Sequence, residues 1–256
     1  MDSISFKNSR GITLAGCFRS AGTGDAIIMC HGLTSDKSSL GVFDKIAEAL
    51  NQINFNVLNF DFSGCGESGE DIISVKGEID DLLSATEFVK SYGFKRIGFY
   101  GHSFGTLICL KCYFPELVTM ALSGAVMGNI NYNWDEYYSE SQLDELKKYG
   151  FFNFIDRTGK ERKISGDILQ IFSHINQREM LTKIKCPVLI IHPEAKNDSE
   201  EQQLIASSKR AINILPEGSE LKMVKGNSHA LAGYSEEVIE TMGKWFLRQF
   251  DKSHIE

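Results

Sequence analysis

The stretch that decides the fold runs from residue 97 to residue 108 and reads Ile97-Gly98-Phe99-Tyr100-Gly101-His102-Ser103-Phe104-Gly105-Thr106-Leu107-Ile108. An apolar, β-rich run leads into Gly-x-Ser-x-Gly, and an apolar helical pattern follows it. This pattern is typical of a nucleophile elbow, in which a serine lies at a sharp turn between a strand and a helix. Glycines are needed on both sides because larger side chains would collide with the neighbouring strand or helix. The alternative interpretation is a surface serine in a glycine-rich turn.

Composition favours an ordinary globular protein. The 256 residues, with 42% hydrophobic and 24% charged side chains, are enough for one large α/β domain with a small insertion. A formal charge of −7 argues against nucleic acid as a partner, because binding phosphates requires a basic face. The amino terminus lacks a signal-peptide pattern, and no apolar run of membrane-spanning length occurs. The sequence therefore predicts a cytoplasmic protein without a membrane span.

The six cysteines lie mostly inside apolar runs, which indicates buried, reduced thiols. Cys109 and Cys112 have the spacing of a redox pair, but their place on the helix after the elbow favours a structural role. No cysteine and histidine cluster has the spacing of zinc ligands.

Apolar runs and helical patterns alternate along the chain. Strands are predicted at residues 4–6, 12–18, 26–30, 55–60, 96–100, 119–123, 186–191 and 220–224, the first two as a hairpin. Strands alternating with helices predict a mostly parallel sheet covered on both faces, in which function gathers at the carboxyl ends of the strands.

Residues 128–180 differ in character from the rest of the chain. They are rich in aromatic residues and contain a hairpin that turns at Thr158-Gly159. We predict that residues 1–127 and 181–256 form the core and that residues 128–180 form a cap walling a substrate pocket. In this cap, Trp134, Tyr137, Tyr138, Phe152 and Phe154 are expected to include substrate contacts. The alternative is a helical excursion whose aromatic residues serve only packing.

A glycine-rich loop, Asp61-Phe62-Ser63-Gly64-Cys65-Gly66-Glu67-Ser68-Gly69, follows the fourth predicted strand. Its glycines fit the spacing of a dinucleotide fingerprint, but no strand with an acidic end follows about 20 residues on. A nucleotide site is therefore a minor alternative.

A serine nucleophile needs a base to take its proton and a carboxylate to orient that base. His229 is the histidine in the loop after the final strand, where the chain order serine, acid, histidine requires the base. Ser103, His31, Asp61, Asp198 and His229 all follow predicted strands, so we expect them near one edge of the sheet.

The chain resembles the α/β-hydrolase family over nearly its whole length, most closely the small carboxylesterases that include cinnamoyl and feruloyl esterases, and the related serine-peptidase and monoacylglycerol-lipase-like group. Four features carry the resemblance: His31-Gly32, Asp61-x-x-Gly64-x-Gly66-x-Ser68, the elbow around Ser103, and His229. The resemblance implies an eight-stranded, mostly parallel sheet with helices on both faces and a small inserted cap. It also implies an oxyanion hole made by the backbone N–H groups of Leu33 and Phe104, and no metal or organic cofactor.

The sequence departs from the family pattern where the acid is expected. His192-Pro193-Glu194-Ala195-Lys196 replaces the usual His-Gly-x-x-Asp, and Lys196 cannot accept the imidazole N–H. The family pattern would place the acid at position 196, two residues before Asp198. Asp198 is favoured because lengthening a surface loop by two residues costs little loop-closure entropy. Glu194, Asp135 or Asp156 in the cap, and the absence of any acid stay open as alternatives.

The resulting expectation is a serine hydrolase that cleaves a small-molecule carboxylic ester through an acyl-enzyme, with Ser103, His229 and Asp198 as its triad. A thioesterase or peptidase with the same machinery is the alternative within enzymes. A ligand receptor with little turnover is the alternative outside them.

Overall fold

The computed structural model describes residues 1–226, 228–231 and 235–251. Positions 227, 232–234 and 252–256 of the predicted core therefore lie outside the described residues.

The main sheet has eight strands: β1 (Asp2–Lys7), β2 (Thr13–Arg19), β3 (Asp25–Cys30), β4 (Asn56–Phe60), β6 (Arg96–His102), β7 (Leu117–Ser123), β10 (Val188–Pro193) and β11 (Glu220–Val224). Their spatial order is β1-β2-β4-β3-β6-β7-β10-β11. The hairpin of β1 and β2 is antiparallel, β2 pairs antiparallel with β4, and the other pairs are parallel. The mostly parallel eight-stranded sheet expected from the sequence is confirmed.

Helices cover both faces of this sheet, and the central strand β3 shows why. Its side chains alternate between faces, so Ile27 and Met29 belong to one hydrophobic cluster while Ile28 and Cys30 belong to the other. The first cluster packs under α1 (Val42–Gln52) and α8 (Ser235–Phe250). The second packs under α2 (Val75–Ser91), α3 (Phe104–Lys111) and α7 (Ser199–Ala211).

The segment between β7 and β10 holds most of the remaining elements. It contains a 3₁₀ turn (Trp134–Glu136), α4 (Glu140–Tyr149), β8 (Phe151–Ile155), β9 (Glu161–Ser165), α5 (Gly166–Ile171) and α6 (Gln177–Leu181). The hairpin of β8 and β9 has the turn expected around Thr158-Gly159, closed by the Asp156 N–H donating to the Lys160 carbonyl at 2.9 Å.

A short strand of the core holds this hairpin in place. β5 (Ile72–Ile73) pairs with β9, which makes a second sheet of order β5-β9-β8. The buried Arg162 of β9 adds a contact by donating to the Gly66 carbonyl at 2.7 Å. The segment between β7 and β10 is thus joined to the chain after β4 by the pairing of β9 with β5 and by the buried guanidinium of Arg162.

Candidate active site

The turn between β6 and α3 has the geometry of an elbow. Ser103 has φ 53° and ψ −127°, a conformation that side-chain-bearing residues rarely adopt. A Cβ added to Gly105 would lie 2.4 Å from the Cys30 carbonyl oxygen, and one added to Gly101 would lie 2.9 Å from the Gly105 oxygen. Both glycines are therefore required by close backbone contact, and the strained turn presents the serine hydroxyl at the end of the strand.

The structure brings Ser103 and His229 together. The Oγ of Ser103 and the Nε2 of His229 are 2.8 Å apart, a hydrogen-bond distance. The imidazole of His229 is only 21% exposed, and its Nδ1 lies 2.6 Å from Oε2 of Glu201, whose side chain has no exposed surface. Serine, histidine and a carboxylate thus form one continuous chain of hydrogen bonds.

The carboxylate in this chain is Glu201, which corrects the expectation that Asp198 would meet the imidazole. Asp198 caps the start of α7, where its Oδ1 accepts from the Glu201 N–H at 3.0 Å. Its Oδ2 accepts from the backbone N–H of His229, also at 3.0 Å. Both oxygens of Asp198 accept from backbone N–H groups, so Asp198 holds the peptide groups of Glu201 and His229. The alternative acid Glu194 is exposed.

Glu201 was missed by the sequence reasoning because it lies beyond the loop, in the first turn of α7. A signal for it exists in the helical pattern: Glu201, Leu204, Ile205 and Ser208 recur at helical spacing and are all buried. A glutamate on the apolar face of a helix is costly unless it is paired. That placement marks Glu201 as a residue with a buried partner.

Glu201 and His229 stabilise each other's charged forms. Burial raises the pKa of Glu201, but hydrogen bonds from His192 and His229 outweigh it and bring the pKa down to about 2. Burial lowers the pKa of His229, but the hydrogen bond and charge of Glu201 outweigh it, and the pKa is raised. Glu201 is therefore an anion that favours the protonated form of His229, as a base that accepts a proton during a reaction requires.

The two residues expected to form an oxyanion hole, Leu33 and Phe104, belong to segments next to Ser103. A Cβ added to Gly32 would be 3.2 Å from the Ser103 Cβ, so the peptide that joins Gly32 to Leu33 borders the nucleophile. The Gly32 carbonyl on that peptide accepts from Nδ1 of His31 at 2.8 Å. Phe104 is the first residue of α3, where an N–H has no partner within the helix.

Comparisons with known proteins bear on the fold of the chain. A family model described as alpha/beta hydrolase fold matches residues 25–120. The chain has the α/β-hydrolase fold. No curated protein sequence gives a significant match.

Solved structures match over nearly the full chain at low identity. The α/β hydrolase GrgF from Penicillium sp. sh18 is 17% identical with a TM-score of 0.75, over 97% of this chain and 98% of that one. Est1E from Butyrivibrio proteoclasticus, solved with ferulic acid bound, is 20% identical with a TM-score of 0.72, over 96% and 98%. Esterase Pf2001 from Pyrococcus furiosus is 22% identical with a TM-score of 0.68, over 96% and 91%.

In this α/β-hydrolase fold the glycine-rich loop after β4 is organised around Asp61. The buried Asp61 carboxylate accepts from the Lys37 N–H at 2.5 Å, from the Lys37 Nζ at 2.9 Å and from the Glu67 N–H at 2.9 Å. The Ser68 hydroxyl donates to the Asp61 carbonyl at 2.7 Å. The loop thus folds back on its own carboxylate, which joins it to the segment after β3.

Aromatic side chains of residues 128–180, the segment expected to form a cap, approach the elbow. Phe172 packs on Phe104, with ring centroids 5.5 Å apart, and on Trp134 at 5.8 Å. Tyr132 stacks on Trp134 at 4.6 Å, and its hydroxyl donates to Glu200 Oε1 at 2.5 Å. Of the cap residues expected to contact substrate, Trp134 belongs to this group, whereas Phe152 is fully buried.

A second histidine packs against His229. The His102 ring stacks on His229 with centroids 5.3 Å apart, and its Nδ1 lies 3.0 Å from the Ser123 Oγ. Burial and the neighbouring His229 lower the pKa of His102 to about 3, so this ring is neutral. Within the described part of the chain, no cluster of three or more histidine, cysteine or acidic side chains could hold a metal ion. No helix in the same residues is both long and apolar enough to cross a membrane.

Proposed function

We propose that this protein is a serine hydrolase that cleaves carboxylic esters through an acyl-enzyme, with Ser103 as nucleophile, His229 as base and Glu201 as the orienting acid. The observation that carries the proposal is the hydrogen-bond chain from Ser103 Oγ through both nitrogens of His229 to Glu201 Oε2, at 2.8 and 2.6 Å. This geometry meets the requirements of a nucleophile, a base and an orienting group.

In the first step, Ser103 Oγ attacks the ester carbonyl while His229 Nε2 takes the hydroxyl proton. Negative charge develops on the carbonyl oxygen, and the N–H groups of Leu33 and Phe104 stabilise it. The imidazolium is stabilised by the buried Glu201 and gives its proton to the leaving alcohol. Water, deprotonated by the same imidazole, then hydrolyses the acyl-enzyme and restores the serine.

Asp198 has a different role in this proposal from the one expected of it. It holds the backbone N–H groups of His229 and Glu201, one on each oxygen, so it positions the loop and the helix start that carry the base and its acid. Its loss would loosen the geometry without removing the charge that faces the imidazole.

An ester is favoured over a thioester or amide by the similarity to solved structures described as esterases. The triad alone does not select among these substrates, because all three react by the same acyl transfer. We propose that the cap, residues 128–180, walls the acyl site through the aromatic group of Tyr132, Trp134 and Phe172, which contacts Phe104 next to the nucleophile.

The proposed substrate is a small molecule and the proposed location is cytoplasmic. All six cysteines are free and buried, which suits a reducing compartment. A formal charge of −7 gives no support to nucleic acid as a partner.

The proposal is tested by measuring hydrolysis of p-nitrophenyl esters of graded acyl length beside hydroxycinnamate esters and matched thioester and amide analogues. We expect ester hydrolysis that is lost in Ser103→Ala while the thermal midpoint is retained. A thioester or amide preference would favour the alternative enzymes. Turnover of no substrate by folded protein would favour a receptor and refute the hydrolase proposal.

The cap proposal has its own test in a matched pair of aromatic variants. Trp134→Ala removes a ring from the group beside Phe104, whereas Tyr149→Ala removes an exposed ring at the end of α4. We expect the first variant to change the ranking of acyl groups and the second to leave it unchanged. An unchanged ranking in both variants would assign the aromatic group to packing alone.

A further inference from the structure

The acid of the proposed triad is held between two histidines. Glu201 Oε2 meets Nδ1 of His229 at 2.6 Å, and Oε1 meets Nδ1 of His192 at 2.5 Å. The side chains of Glu201 and His192 have no exposed surface. His192 is the last residue but one of β10, so it is fixed by the sheet, whereas Glu201 lies on α7.

His192 is itself held at its other nitrogen. Its Nε2 lies 2.8 Å from the Oγ of Ser208, which is on α7 two turns after Glu201. The hydroxyl of Ser208 can donate to Nε2, which leaves the ring proton on Nδ1, where it faces the carboxylate. Strand and helix are therefore linked by one imidazole that contacts the helix at two points.

A carboxylate with no access to water needs a donor for each oxygen, because an unpaired buried acceptor bears the full cost of desolvation. Asp198, the capping residue at the start of α7, does not supply the second donor. Its carboxylate is an acceptor, and it accepts from the backbone N–H of Glu201. His192 supplies it, and it approaches from the side opposite His229.

We propose that His192 is a positioning residue of the active site, which donates to Glu201 Oε1 and thereby holds the ionised carboxylate in the orientation that directs Oε2 at His229. This inference rests on the proposed function, because it assigns Glu201 as the acid. His192 touches neither substrate nor nucleophile and acts through Glu201 alone.

A consequence follows for proton transfer at His229. Without the hydrogen bond from His192, the negative charge of Glu201 is less neutralised, so the carboxylate attracts the His229 imidazolium more strongly. Among the described residues, Asp198 and Glu200 from the start of α7 and the neutral His102 from the end of β6 also face His229. They are unchanged by substitution at position 192, so a shift in the protonation of His229 reports on His192.

The experiment compares His192→Leu with His192→Asn, two side chains of nearly equal size. The asparagine amide nitrogen takes the place of Nδ1 and can donate to Glu201, whereas leucine cannot. We expect kcat for a p-nitrophenyl ester to fall roughly 10- to 100-fold in the leucine variant with KM unchanged, and to be largely retained in the asparagine variant. The acid limb of the kcat/KM profile should move to higher pH in the leucine variant only. A merely structural role would lower the thermal midpoint of both variants without moving this limb.

The outcomes separate this inference from the proposed function. Wild-type protein that neither hydrolyses esters nor reacts with a fluorophosphonate refutes the proposed function, and the role of His192 with it. Active wild type with equal profiles for the two variants overturns the role of His192 alone. If the leucine variant fails to fold, ¹⁵N-histidine spectra of the wild type decide, with the His192 signal identified by its loss in His192→Asn. A protonated Nδ1 at His192 supports the inference, and an unprotonated Nδ1 overturns it.

Discussion

Replacing Glu201 by glutamine probes the assignment of the acid most sharply. The substitution keeps the size of the side chain and its two hydrogen-bonding positions, but it removes the negative charge and makes one of those positions a donor. In the native site both positions accept, one from each histidine. The variant amide can therefore satisfy only one of them in the native tautomer.

The expected loss follows from the two orientations open to the amide. If its NH₂ faces His229, Nδ1 must accept, the ring proton moves to Nε2, and the base cannot take the Ser103 proton; a wrong tautomer costs on the order of 10⁴ in kcat. If its oxygen faces His229, the tautomer is kept but the imidazolium loses its counter-charge. With charge centres about 4 Å apart and an effective dielectric constant of about 20, that loss is about 4 kcal/mol, or roughly 10³ in rate. We therefore predict a fall in kcat of roughly 10³ to 10⁴.

The matched control is Asp198→Asn. Asparagine caps helices as well as aspartate does, and its one oxygen can still accept from a backbone N–H. We expect a loss of kcat below about tenfold, because the variant weakens one of two backbone contacts. Initial rates with a p-nitrophenyl ester and thermal midpoints for both variants are the measurements. A near-wild-type Glu201→Gln enzyme beside an inactive Asp198→Asn enzyme would refute the assignment of Glu201 and restore the expectation from the sequence.

Three further predictions concern pH and packing. Because Glu201 raises the pKa of His229, kcat/KM should fall with decreasing pH at a pKa above that of a free histidine; a limb at or below the ordinary value in a pH–rate profile contradicts this. Burial, followed by the nearby Asp81 and Asp167, raises the pKa of Glu78 well above its usual range, so above the ordinary glutamate pKa the folded state holds the extra proton. As the pH rises above the ordinary glutamate pKa, loss of this proton linkage should lower stability by up to about 1.4 kcal/mol per pH unit until the folded pKa of Glu78 is reached. Glu78→Gln should remove this part of the slope in denaturant titrations above about pH 5, whereas equal slopes in wild type and variant would refute the prediction. Gly105→Ala should abolish ester hydrolysis and lower the thermal midpoint, since its Cβ would lie 2.4 Å from a carbonyl oxygen; a variant with normal activity and midpoint would be incompatible with the elbow geometry.

The mostly parallel sheet and the elbow turn at Ser103 could be predicted from the sequence because local patterns specify them. The continuous apolar run before Ser103 is typical of a strand covered on both faces, and Gly101 and Gly105 lie where the turn into the helix leaves no room for a Cβ. The fold expected on these grounds is confirmed. His229 could be proposed for a similar reason, since it is the histidine in the loop after the last strand.

The acid could not be predicted in the same way, because its identity depends on where a helix begins. Asp198 occupies the cap position of α7, and its two oxygens are engaged by backbone donors. The carboxylate that reaches the imidazole is therefore one turn further along, on the buried face of the helix. Choosing between them requires knowing how α7 lies on the sheet, which is a tertiary property. The pairing of β5 with β9 escaped prediction for a related reason, as a two-residue strand has no periodicity to read.

Reaction with a fluorophosphonate tests the central claim most directly, because this reagent modifies a serine only where a base activates it. We predict one adduct per chain, located on Ser103 by mass spectrometry of the labelled peptide, absent in Ser103→Ala and slowed by at least about 10² in Glu201→Gln. The same measurement on Asp198→Asn should give labelling close to that of the wild type. No adduct on folded wild-type protein, or an adduct on a serine other than Ser103, would contradict the account.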